Sequence, residues 1–223
     1  MLQTATLKFL KDLKKNNNKP WFDDNRSRYE DAKQDFIQFI QAVIDGYGKK
    51  DKSIAALKAK DCLFRINRDI RFSKDKSPYK TNFGASINQG GRKASSSAGY
   101  YIHLEPGQCF VGGGIYQPMP DELKKVRQEI DYNFKDFKKI IGSKKFRSFY
   151  KDLDNSDEFL LRRVPKGYAP DNPAAEYLRL KSYIAFVQIS DKDLTSKILL
   201  KKTLEAFKTL QPLIKFLNLA LVG

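Results

Sequence analysis

The residues best suited to chemistry lie between Lys60 and Thr81. There Lys60, Arg65, Arg68, Arg71, Lys74, Lys76 and Lys80 stand against only Asp61, Asp69 and Asp75. An arginine grips a phosphate or carboxylate through two parallel N–H bonds, whereas a lysine acts as a point charge on a flexible stem. Both kinds together, with Tyr79 among them, suit a basic pocket for a small anionic ligand, a phosphorylated one included. The expected ligand-binding residues are Arg65, Arg68, Asp69, Arg71, Lys76, Tyr79 and Lys80. Asp69 would orient a guanidinium, and the backbone at Gly113 would allow a close approach. If a proton must move, Asp69 and Glu105 are the nearby carboxylates able to act as a general base. The same stretch has a plainer reading as a scaffold or partner-binding surface, with each arginine paired internally, because structural ion pairs also cluster charge.

No residue pattern defines a reaction, so enzymatic activity is left open. His103 is the single histidine and the only cysteines are Cys62 and Cys109, which leaves no metal-ligand spacing and no cofactor to expect. His103 stands between Ile102 and Leu104 on a strand-like run, where Tyr101 and Glu105 share its parity and make a polar face. GGG at 112–114 is not a dinucleotide fingerprint, because no helix follows it directly. A nucleic-acid-binding module is the second reading, since Phe72, Tyr79, Phe83, Tyr100 and Tyr101 are interleaved with cations. Parity assigns Phe72 and Phe83 to the core and leaves the tyrosines.

The cations need an element to carry them. Cys62, Phe64, Ile66, Ile70 and Phe72 alternate with polar residues, which predicts a half-buried strand broken by Arg68. Further strands are expected at 83–87, 100–105, 108–116 and 183–189, with a hairpin at Pro106-Gly107. GGRKASSSAG reads as a polar loop. Apolar spacing predicts helices over 4–15, from Pro20 to about Gly46, over 121–141, near 145–150, and from 194 to 221 with a break at Pro212. Trp21 and Phe22 suit an anchor between helices. The order implies an α+β fold, one domain over residues 1–223, with a largely antiparallel central sheet of about five strands and flanking helices at both chain ends.

The chain has 42 Lys+Arg against 26 Asp+Glu, a net charge of +16 that favours polyanionic partners. Much of the excess, Lys11, Lys14, Lys15, Lys124 and Lys125, reads as solvated helix surface. Two cysteines in apolar contexts, no secretory signal and no membrane-length apolar run lead to the expectation of a cytoplasmic protein with reduced thiols and no membrane association. Oligomeric state is not readable.

The blocks NN-x-x-x-WF with Asn25 and Tyr29, RDIRFSKDKSPYKT, GYYIHLEPG, GGGIYQP, and PKGY with LRLKSY span nearly the whole chain. In these the chain resembles the uncharacterised family catalogued as domain of unknown function 2461, with Tyr116 where tryptophan is at least as frequent. The resemblance implies a single-domain bacterial cytoplasmic protein. It brings no activity, substrate or cofactor, but its signature coincides with the cation cluster.

Overall fold

The computed structural model describes residues 1–91 and 97–222. In chain order the elements are α1 (Thr4–Lys15), α2 (Lys19–Asp24), α3 (Arg26–Tyr47), α4 (Ala59–Cys62), β1 (Phe83–Ile87), β2 (Gly99–Leu104) and β3 (Phe110–Ile115). There follow α5 (Pro120–Tyr132), α6 (Phe134–Ile141), α7 (Lys144–Tyr150), α8 (Ala175–Leu178), β4 (Tyr183–Gln188), α9 (Asp191–Leu194) and α10 (Ile198–Val222). The strands form one antiparallel sheet in the order β1-β2-β3-β4. Helices and sheet together make the fold α+β, and among the described residues the sheet has four strands, not about five.

The missing strand is the one expected from Cys62. That segment pairs with β1 only through the isolated bridge Leu63–Ala85, then folds back so that Asn67 bridges Tyr79. Its alternation does not define two faces: Cys62 and Ile66 are buried, but Phe64 is 39% and Phe72 94% exposed. Alternation also occurs in irregular chain held by side chains, and Arg68 takes that role here. Of the polar loop GGRKASSSAG, residues 92–96 lie outside the described residues.

Contacts divide the chain into two compact units. The first comprises Met1–Arg92, Tyr101–Val111 and Gln188–Leu204. Here α1 packs on α3, burying Leu7, Leu10 and Leu13 along one helix and Phe36, Phe39, Ile40 and Val43 along the other. Each such side chain contributes roughly 1.5–3 kcal/mol. The Asp35 carboxylate ties the two helices together, accepting from Gln3 N at 2.9 Å and Thr6 Oγ1 at 2.5 Å. Asn18 caps α2 by accepting from Trp21 N at 3.0 Å, and Pro20 lies in the first turn, where a missing N–H costs nothing. Trp21 stacks 6.1 Å from Phe9 of α1, the expected anchor between helices. At the β2–β3 hairpin Gln108 N donates to Glu105 O at 2.8 Å, and Gly107 takes φ 84°. Cys62 and Cys109 are free, and burial pushes both thiols up to about 11.

The second unit comprises Lys93–Tyr100, Gly112–Val187 and Glu205–Gly223. Tyr100 stacks on Phe207 at 4.2 Å, and Phe137 packs between Tyr177 at 5.1 Å and Phe216 at 5.4 Å. Asn133 separates α5 from α6, so the run 121–141 is two helices. Pro212 does not divide α10, because Phe207, Leu210, Leu213, Ile214 and Leu217 bury one stripe on both sides of it. That burial outweighs the roughly 3 kcal/mol a helical proline costs. Among the described residues no helix is long and apolar enough to cross a membrane.

Candidate functional site

The cation-bearing chain lies along the sheet edge. Phe64 N donates to Gly84 O of β1 at 3.0 Å, Arg68 N to Pro78 O at 2.9 Å and Lys80 N to Ile66 O at 2.8 Å. Residues 69–77 form the excursion between these limbs, and Arg68 staples it. Its guanidinium pairs with Asp75 and reaches Ser77 Oγ at 2.6 Å and Ser73 Oγ at 3.4 Å. Bonds from Ser77, and then the Arg68 charge, hold the Asp75 carboxyl well below the usual carboxylate range. Lys76 Nζ donates to Ile70 O at 3.0 Å.

Asn17 fixes the returning limb. Its Nδ2 donates to Tyr79 O at 2.9 Å, and Tyr79 N donates to its Oδ1 at 3.1 Å. The Tyr79 ring stacks on Phe22 at 4.0 Å and the residue is only 6% exposed, so its ring serves mainly to pack the limb onto α2.

Between this limb and the end of α1 lies an open cleft of about 410 Å³. Its cations are Lys14, Arg68 and Lys80; its neutral polar residues are Asn17, Ser77, Thr81 and Asn82, and its one carboxylate is Asp75. Of the expected binding residues, Arg68, Tyr79 and Lys80 line the cleft. Asp69 and Arg71 pair with each other at 2.7 Å on the exposed surface, where such pairs contribute little. Arg65 is exposed and makes no ion pair among the described residues. Gly113, in the second unit, is approached by backbone: a Cβ there would stand 2.1 Å from Gly99 O. The close approach expected at the three glycines is thus made by neighbouring strands.

A chain of polar groups adjoins the cleft. On β2 and just beyond it, Tyr101, His103 and Glu105 are only half-buried. Glu105 Oε1 accepts from Thr81 Oγ1 at 3.0 Å and lies 3.4 Å from Lys14 Nζ, while its Oε2 lies 3.3 Å from His103 Nε2. The carboxylate therefore selects the tautomer protonated at Nε2. Nδ1 is left to accept from the Tyr101 hydroxyl at 3.3 Å or the Asn82 amide at 3.5 Å. Burial holds His103 below its ordinary 6.5, with Glu105 partly offsetting it. Burial pushes Glu105 up, but bonds from His103, Thr81 and Lys14 together leave it below its ordinary 4.5. At neutral pH this arrangement is a neutral base backed by a carboxylate, able to accept a proton at Nδ1.

Stability depends on pH accordingly. As pH falls below 6.5 the unfolded chain takes up the histidine proton first, so the fold loses stability until His103 itself titrates. Glu105 acts in the same direction at lower pH: its stabilisation is present above 4.5 and is lost as pH falls through its folded value. Because His103 is the only histidine, its imidazole proton resonance is unambiguous. It is expected to titrate below 6.5, and Glu105→Gln is expected to lower the midpoint further. A midpoint that rises in that variant would contradict the pairing.

Lys14, Asn17, Thr81 and Asn82 were not evident as site residues in the sequence, and Lys14 read there as solvated helix surface. The NNN run within the family block was the one signal for Asn17.

These features define a basic α+β protein with a cation-lined cleft at the sheet edge and a histidine–carboxylate pair on and just beyond β2. It belongs to the family described as conserved hypothetical protein (DUF2461), whose model matches residues 5–216. Neither the curated proteins nor the solved structures gave a match.

Proposed function

We propose that the cleft beside β1 binds a small anionic, phosphorylated ligand. The observation that carries this reading is its lining, three cations against one carboxylate with hydroxyl and amide groups between them. Its size lies within the usual range for small-molecule sites, roughly 300–1,000 Å³. Arg68, held by Asp75 and two serines, is a fixed donor; Lys14 and Lys80 adapt on flexible stems. The neutral imidazole of His103 stands next to the Asn82 amide and would serve as a base if the ligand is transformed.

Calorimetry with inorganic phosphate and pyrophosphate tests this. Lys14→Ala combined with Lys80→Ala is expected to weaken pyrophosphate binding at least about tenfold, since each lost charge-assisted bond is worth roughly 1.5–3 kcal/mol. Unchanged binding in that double variant would refute the reading.

A second reading, a nucleic-acid surface, draws on the excursion at 69–77. There Phe72 is 94% exposed and the Arg71 guanidinium lies 5.7 Å from its ring centroid. Of the tyrosines left for stacking, Tyr79 and Tyr100 are buried; Phe83 is buried as its parity predicts.

A further inference from the structure

We infer that the ligand of the cleft carries a planar aromatic ring beside its phosphate, so that its class is a nucleotide. The inference rests on the anion-binding reading above and adds the part of the site that takes the ring. A solvated face of an antiparallel sheet is ordinarily polar. The outward face beside the cleft is aromatic instead. Phe64 lies 6.2 Å from Tyr101 in an edge arrangement, Tyr101 lies 5.8 Å from Phe110, and His103 stacks on Phe110 at 4.7 Å and 7°. Phe64 is 39% exposed, and Tyr101 and Phe110 are half-buried.

The bland account is that these rings merely cover the sheet. Two residues join them to the cleft and favour a shared ligand. Lys80 lines the cleft and holds its ammonium 5.5 Å from the Phe64 ring centroid. Asn82 lines the cleft and lies 3.5 Å from Nδ1 of the imidazole stacked on Phe110. A phosphate among Lys14, Arg68 and Lys80 thus lies beside a surface on which a base can stack, as bases do on aromatic rings next to basic grooves.

Isothermal titration of the intact chain with ribose phosphate, adenosine monophosphate and a short single-stranded oligoadenylate tests the assignment. Adenosine monophosphate is expected to bind about tenfold tighter than ribose phosphate, the size of a typical stacking gain. Phe64→Ala should remove that difference and leave ribose phosphate unaffected. Phe64 belongs to no helix or strand, and thermal melting verifies that the variant folds. Lys80→Gln should weaken both ligands. An oligonucleotide bound far tighter, with affinity falling steeply as salt rises, assigns the same chemistry to a strand; one bound no tighter assigns it to the free nucleotide. Equal affinity for ribose phosphate and adenosine monophosphate overturns the inference and leaves the anion site standing. So does a preference that survives both Phe64→Ala and Phe110→Ala. Absence of binding by every one of these phosphates overturns the anion site as well.

Discussion

Replacing Gly114 with alanine is expected to destabilise the protein by more than about 3 kcal/mol, enough to threaten folding of a marginally stable chain. Gly114 has φ 126°, a region that side-chain-bearing residues rarely adopt, and an added Cβ would stand 1.9 Å from Tyr183 O and 2.9 Å from Ile184 Cα. Both obstacles are backbone of β4, so no rotamer change relieves them. Either β4 moves away, losing ladder hydrogen bonds, or β3 changes its own conformation. Gly107 is the control. It has φ 84° at the hairpin, but an added Cβ there would meet nothing within 4 Å. Its alanine variant should lose only the conformational preference, about 1–2 kcal/mol. Urea denaturation of the two variants separates the effects. If Gly114→Ala costs no more than Gly107→Ala, strand proximity is not what requires glycine there.

The second large effect is expected at Asn17. Its side chain satisfies both main-chain groups of Tyr79, with bonds of 2.9 and 3.1 Å. Alanine would leave a part-buried N–H and C=O unpartnered, costing about 2–4 kcal/mol if water does not replace the amide. The same change frees the limb that carries Tyr79, Lys80 and Thr81, so pyrophosphate affinity should fall together with stability. Asn17→Asp retains an acceptor for Tyr79 N, removes the donor to Tyr79 O, and adds negative charge to a cation-lined cleft. It should therefore hurt binding more than it hurts stability. A denaturation curve for Asn17→Ala within about 0.5 kcal/mol of the parent would mean the limb is held by other contacts.

Much of the sheet was legible because its alternation is faithful to burial. Tyr100, Ile102 and Leu104 are buried while Tyr101 and His103 are half-exposed, and Phe83, Ala85 and Ile87 are buried on β1. The same rule failed from Cys62 onward. What shapes that segment is a carboxamide 62 positions from Tyr79 in sequence and a guanidinium gathering Asp75 and two serines. Neither leaves a local periodicity. The cation cluster was visible as composition, yet composition does not show which members are engaged: Arg71 is held by Asp69 and Lys76 by a main-chain carbonyl. Lys14 was the converse case. Helical spacing placed it correctly on α1, but the surface it faces is defined by Tyr79 to Asn82, distant along the chain.

The half-exposed residues of β2 recur with period two. Sliding this strand by a single residue against its neighbours would turn the imidazole inward and push Ile102 and Leu104 out into water. The histidine–carboxylate pair, two residues apart, would turn with the strand, so correct alignment decides whether it stands beside Lys14, Thr81 and Asn82. A compact but misaligned conformer would carry the pair away from the cleft, and binding of the proposed anion would report on the native strand pairing.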